Sequence, residues 1–201
     1  MTDRQIEAAH RARLNGPVCG IDEAGRGPIA GPVDAAAVIL PEGGEFSGLT
    51  DSKTLSARRR ETLSAELLEK AVTGIGICSE QEIDRLNILH AAMLAMRRAC
   101  ESLAEKPVFA LIDGNRVPEN MPCGAEALVK GDGRESCIAA ASIIAKVHRD
   151  KIMCDLAATY PGYGFEAHAG YPTMAHIEAL KRLGASPVHR RSFRPVRDMF
   201  T

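Results

Sequence analysis

The stretch Val18-Cys19-Gly20-Ile21-Asp22-Glu23-Ala24-Gly25-Arg26-Gly27 decides how this chain is read. Its first four residues form a short apolar run that predicts a buried strand. Two adjacent carboxylates follow at the strand end, and a glycine-rich loop follows them. Neighbouring carboxylates repel unless a cation stands between them, and glycine backbone can approach a sugar or phosphate closely. The combination suggests metal-assisted phosphate chemistry. A solvated turn is the plain alternative, because Asp and Gly are common turn formers.

Working outward, Val33 to Leu40 is an apolar run between Pro32 and Pro41-Glu42-Gly43-Gly44, expected to pair with Val18–Ile21 as a buried hairpin partner. Asp51-Ser52-Lys53 then lies in a loop. Ser56 can cap a helix to about Lys70, and Val72 to Cys78 returns as a third strand. Ser79-Glu80-Gln81-Glu82 has capping-box spacing and opens a helical stretch to about Ala104, with a break near Asn87. Its apolar positions Leu89, Met93, Met96 and Cys100 follow helical spacing and predict a core face. Val108 to Ile112 and Ala125 to Val129 read as two more buried strands. Helices are expected over 136–157 and 173–183, the second stopped by Gly184.

Composition bounds what this architecture can be. The 201 residues are 45% hydrophobic, enough for a single α/β domain with a real core, and residues 1–16 read as a lead-in and 187–201 as a basic tail. The net charge is -1, so an anionic partner would have to be met by a local basic patch. With no Trp and little aromatic content, a broad base-stacking platform is unexpected. The six cysteines include no CxxC pair and fit reduced cytosolic thiols in the core, and neither a secretory signal nor a membrane-spanning run is visible.

Acids recur at strand ends. Asp22 and Glu23 follow one apolar run, Asp113 closes a second and Asp132 follows a third. Functional groups of open α/β sheets collect at such ends, and four oxygen donors without His or Cys favour a hard cation over zinc. Singly, each acid also reads as a turn residue. The glycine loop is neither a dinucleotide fingerprint nor a P-loop, since Pro28 and Pro32 obstruct the required helix and no G-x-x-x-x-G-K-[ST] occurs.

The blocks Gly20–Val33, Asp51-Ser-Lys53, Ile112-Asp-Gly114, Lys130-Gly-Asp132, Ala139–Lys146, Gly170-Tyr-Pro-Thr173 and His189-Arg-Arg-Ser-Phe193 occur in an order that resembles bacterial ribonuclease HII. They span nearly the whole chain, and seven in order agree where any one would be weak. The resemblance implies an RNase H-like mixed β-sheet flanked by helices, with the first three strands antiparallel and the later ones parallel. It implies an endoribonuclease acting on RNA–DNA hybrids and on single ribonucleotides in duplex DNA, cutting 5′ to the ribonucleotide and leaving 3′-hydroxyl and 5′-phosphate ends. Another RNase H-like metal-dependent nuclease or strand-transfer enzyme is the alternative reading.

By the same resemblance, Asp22, Glu23, Asp113 and Asp132 are the catalytic metal-binding carboxylates, holding two Mg²⁺ or Mn²⁺ ions about 3.5–4 Å apart. Gly25, Arg26 and Gly27 would read the ribose 2′-hydroxyl, Tyr171 would sense the RNA-to-DNA junction, and Lys53, Lys146, Arg190 and Arg191 would contact phosphates. His189 reads as a structural or backbone-contacting residue, and His168 and His176 carry no assigned role. Glu166, Ala167 and Ala169 flank His168 where many members carry basic residues, which weakens the expected strand contact there. No large N-terminal domain of the ribonuclease HIII kind is expected before Asp22. The expected protein is a cytoplasmic monomer.

Overall fold

The computed structural model describes residues 2–44 and 46–200, so Met1 and Thr201, the ends of the expected lead-in and tail, lie outside the described residues. Among the described residues five strands, β1 (Val18–Ala24), β2 (Val33–Ile39), β3 (Val72–Cys78), β4 (Phe109–Asp113) and β5 (Gly124–Leu128), form one sheet in the order β3-β2-β1-β4-β5. The first three pair antiparallel, and β4 and β5 add in parallel, as expected for this mixed fold. Seven α-helices of the described residues accompany them: α1 (Gln5–Leu14), α2 (Ala57–Lys70), α3 (Glu80–Leu86), α4 (Ile88–Glu101), α5 (Ser136–Thr159), α6 (Phe165–His168) and α7 (Met174–Leu183).

Side chains alternate between the two faces of the sheet. Cys19, Ile21, Ala35, Ala37 and Ile112 face α4, whose Ala91, Ala95, Met96 and Ala99 cover them. Val18, Ala36, Val38 and Leu111 face α2 and the first half of α5. Each fully buried Ile or Leu here contributes about 1.5–3 kcal/mol, so both faces must be covered for the central strands to persist.

The two expected caps form: Ser56 accepts from the Arg59 amide, and Ser79 and Glu82 make a reciprocal capping box. The break expected near Asn87 falls at that residue, which, at φ 66°, ends α3 and, beyond the expectation, caps α4 through the amides of Leu89 and His90. Residues 1–16 include the helix α1, whose N-terminus is capped from afar by the Glu135 carboxylate, which accepts from the amides of Ile6 and Glu7 at 3.1 and 3.3 Å. Two expectations are corrected. Strand β5 is not buried: among the described residues it pairs only with β4, at the sheet edge, and every residue in it keeps some exposure. The six thiols are free, but Cys154 is exposed rather than part of the core.

Candidate active site

Ile21 of β1 lies opposite Ile112 of β4, so the next residues, Asp22 and Asp113, leave the sheet side by side toward α5. Two contacts keep α5 close to β1. A Cβ on Gly20 would collide with the backbone of Cys137 and Ile138, so only glycine lets the helix lie against the strand at this level. Further along, the Ser142 hydroxyl supports the Asp22 carboxylate and also meets Ser52 Oγ at 2.8 Å, drawing the Asp51-Ser52-Lys53 turn over the strand ends. Asp113 Oδ1 accepts from the Gly131 amide at 2.7 Å and the Asp132 amide at 3.4 Å, so the turn after β5 is tied to β4 and carries Asp132 to the same place.

The four acids behave as one electrostatic unit. Burial, then the charges of Glu23 and Asp113, pushes the Asp22 carboxyl well above the usual carboxylate range. Burial raises Asp113 too, against the two amides that donate to it, with Glu23 adding to the rise. Burial, then Asp113 and Asp51, raises Asp132. Burial works against the Lys53 ammonium, yet Asp51, Asp132, Asp22 and Asp113 together override it and raise its pKa. Among the described residues no three carboxylate, imidazole or thiol groups close a metal site by themselves. The donors nevertheless fit a hard cation of the Mg²⁺ type, which binds through one or two carboxylates plus water and substrate oxygens. A divalent charge here would relieve the repulsion that raises these carboxyls.

Asp22, Glu23, Gly25, Arg26, Gly27, Lys53, Lys146 and Tyr171 line one cleft of about 200 Å³. A larger groove of about 710 Å³ beside α1 lies away from the strand ends, so volume does not mark the site. Lys146 pairs with Asp150 at 2.6 Å, Arg26 pairs with Glu23 of the cluster at 3.1 Å, and Lys53 feels the charges of Asp132, Asp22 and Asp113 together. The Tyr171 ring stands against the loop, since a Cβ on Gly27 would meet its Cε1 at 3.2 Å.

Arg190 is corrected as a phosphate contact. It is fully buried, and its guanidinium donates to the carbonyls of Gly25, Arg26, Pro28, Gly31 and Pro32 at 2.7–3.2 Å. Arg149, which the sequence reading passes over, donates from α5 to the carbonyls of Ala30, Pro32 and Ala169. Its only sequence signal is its place three residues after Lys146, on the same helix face. Burial, then the charge of Arg149, lowers Arg190 to about 9, so it stays protonated at neutral pH. With its carbonyls turned inward, the loop leaves the amides of Gly25, Arg26 and Gly27 without a partner among the described residues. Gly25 itself, at φ 97°, has no room for a Cβ beside Arg149 Nε. Arg191 stands apart: its amide donates to Asp84 and its guanidinium lies over Phe200, in a separate cleft with Glu80 and Arg85.

Acids at the ends of central strands in a mixed five-stranded sheet define the class, an RNase H-like nuclease. The family model described as Ribonuclease HII matches residues 19–196. The ribonuclease HII of Maricaulis maris is 57% identical over 90% of this chain and 83% of its own length, and that of Parvibaculum lavamentivorans 56% over 98% and 72%. In three dimensions, the ribonuclease H2 of Pyrococcus horikoshii superposes with a TM-score of 0.75 at 28% identity, covering 91% of this chain and 96% of that one. Bst ribonuclease HIII, solved in complex with Mn²⁺, shares the fold at a TM-score of 0.70 and 17% identity, over 92% of this chain and 69% of that one. The chain belongs to the ribonuclease HII family. It is a metal-dependent endoribonuclease of the kind that cleaves RNA in RNA–DNA hybrids and at ribonucleotides.

Proposed function

We propose that Asp22, Glu23, Asp113 and Asp132 hold the divalent ions, Mg²⁺ or Mn²⁺, for incision on the 5′ side of a ribonucleotide in duplex DNA, leaving 3′-hydroxyl and 5′-phosphate ends. When bound as a pair, such ions activate water and stabilise the leaving oxygen, so no protein nucleophile is needed. The observation that carries this reading is the pairing of a mutually repelling acid cluster with a loop whose Gly25, Arg26 and Gly27 amides have no partner among the described residues.

The chain's own groups supply recognition and alignment. The free amides of Gly25, Arg26 and Gly27 donate to the ribose 2′-oxygen, a group DNA lacks. Tyr171, 45% exposed and seated on Gly27, packs against the sugar at the RNA-to-DNA junction. Lys53 and Lys146 take phosphates beside the cut, and Arg191 meets the strand only at the outer edge of the complex. Six free thiols support work in a reducing cytoplasm. No described helix is long and apolar enough to cross a membrane. The working unit in this reading is a monomer, which sedimentation would show directly.

The test is cleavage-site mapping on a DNA duplex bearing one ribonucleotide, with Mg²⁺, with Mn²⁺ and with a chelator. A single metal-dependent nick 5′ to the ribonucleotide is expected. Equal cutting of the all-deoxy duplex would overturn the assignment of ribose recognition to the loop.

A further inference from the structure

Three buried or half-buried histidines stand behind Tyr171 and take no part in the proposed chemistry. His168 and His176 stack at 4.4 Å between ring centroids, and Phe165 meets the edge of His176 at 5.4 Å. Tyr163 tilts against His189 at 5.0 Å. His176 lies on α7, just after its Thr173 cap, and His189 forms an isolated bridge with Ala30 of the glycine loop. The cluster therefore reaches the backbone of Tyr171 on one side and the end of the glycine loop on the other.

The proton positions follow from the two ends of a chain of hydrogen bonds. At one end the Ser186 amide donates to His189 Nδ1 at 3.0 Å, so that nitrogen is an acceptor and the ring proton sits on Nε2. His189 Nε2 faces His176 Nε2 at 3.1 Å. Two N–H groups cannot point at each other, so His176 accepts there and carries its own proton on Nδ1. That nitrogen lies 2.8 Å from the Tyr171 carbonyl oxygen and donates to it. A fixed backbone donor at one end and a fixed backbone acceptor at the other leave one direction for every link.

His168 ties down the residues just before Tyr171. It accepts from the Gly170 amide on Nδ1 at 3.2 Å and donates from Nε2 to the Tyr163 carbonyl at 2.9 Å. The Gly170 carbonyl in turn accepts from the Ile29 amide at 2.9 Å, joining this segment to the glycine loop.

We propose that His176 and His189 are positioning residues for Tyr171: a directional relay from the Ser186 amide to the Tyr171 carbonyl sets where that ring stands over Gly27. The proposal rests on the reading of Tyr171 as the junction contact. Its consequence is selective. Breaking the relay impairs cutting where an RNA-to-DNA junction must be sensed, and leaves cutting inside a long RNA tract close to normal.

The relay works only with neutral imidazoles, since a second proton on either ring would set donor against donor. The ionisable groups around it are His168 and Tyr163 within the cluster and, across the cleft bordered by His189, Glu80, Asp84, Arg85 and Arg191. Among the described residues no carboxylate contacts either ring to favour protonation. Burial, then His176, lowers His189 to about 4, and burial lowers His176 as well, so the relay persists through the neutral range.

The experiment uses the full chain. Long-range proton–nitrogen correlation on ¹⁵N-labelled protein reads the tautomers, and His176 protonated on Nδ1 with His189 protonated on Nε2 is expected at about pH 7. His176→Phe keeps a flat ring and removes both hydrogen bonds, whereas His176→Asn keeps a donor toward the Tyr171 carbonyl. On a duplex with one ribonucleotide the Phe variant should lose about tenfold in kcat/KM, the scale of one positioning hydrogen bond, and the Asn variant should recover to within about threefold. On a long RNA–DNA hybrid both should stay within about threefold of wild type.

Equal losses on both substrates, or no loss at the single ribonucleotide, overturn the proposal. Should the Phe variant fail to fold in a thermal melt, the wild-type tautomers decide, and the opposite assignment overturns it. Wild-type protein that cuts neither substrate refutes the ribonuclease reading instead, and the tautomers then decide the relay on their own.

Discussion

The acid cluster and the glycine loop touch, yet they are built on opposite electrical principles. At the ends of β1 and β4 the carboxylates of Asp22 and Asp113 are crowded and desolvated beside Glu23, so their charges stand in an unfavourable state. In the loop two buried guanidiniums, Arg149 and Arg190, are surrounded by neutral carbonyl oxygens that they tie into one shape. The first region is under tension until a cation arrives. The second is over-determined before any substrate arrives, which suits a surface that must read one hydroxyl group.

The largest effect should come from relieving the tension. Asp22→Asn is expected to reduce metal-dependent nicking by about 10³-fold or more, as when one element of transition-state electrostatics is lost. The same change should raise the melting temperature of the metal-free protein. The sign follows from the raised pKa: the folded state binds the Asp22 proton more tightly than the unfolded chain, so the penalty is absent at acid pH and complete above the folded-state pKa. The gap between variant and wild type in chelator should therefore widen as pH rises through the carboxylate range. A gap that narrows, or full activity in the variant, would break the contrast between the two regions.

Removing a guanidinium should do the reverse. Arg190→Ala strands the carbonyls of Gly25, Pro28 and Gly31 in the interior and is expected to cost about 3 kcal/mol or more. For a chain of this size that lowers the midpoint of a thermal melt by about 6–12 °C, with or without metal. Gly25→Ala should be milder in stability, about 1–3 kcal/mol, because a Cβ at φ 97° is strained and meets Arg149. Its activity loss at a single ribonucleotide should exceed its loss in metal affinity by calorimetry. The smallest effect belongs to the exposed cations. Lys53→Ala should flatten the salt dependence of duplex binding by about 0.9 in log–log slope, one phosphate contact, while Arg191→Ala, outside the cleft, should change it less.

Much of the frame was legible in the residues. The apolar runs found the five strands of the sheet, Ser56 and Ser79 announced helix starts through caps made within three residues of chain, and Asn87 marked the break between α3 and α4. The features that escaped depend on partners remote in sequence. Helix α1 has no local side-chain cap among the described residues and is held by Glu135, and Glu7 is buried against Arg4 and Arg11 where a polar lead-in was expected. Strand β5 carries the apolar pattern of a buried strand but has a neighbour on one side only among the described residues. Arg190 looked like its exposed neighbour Arg191, and nothing in the alternation of charges separates the two.

Residue type and spacing by themselves determined the α/β class, the placing of each acid after an apolar run and the glycine content of the loop, because these rest on interactions within a turn or a strand, while the mixed sheet was implied by the family resemblance. Only the tertiary structure decided that Asp22 and Asp113 stand side by side, that Ser142 reaches them, and that Arg190 faces inward while Lys53 faces the acids. Those outcomes depend on strand order and on how closely α5 approaches Gly20, where the backbone itself is the contact. A one-dimensional pattern carries the period of a strand, but the neighbour it pairs with is set by the free energy of closing the whole core at once.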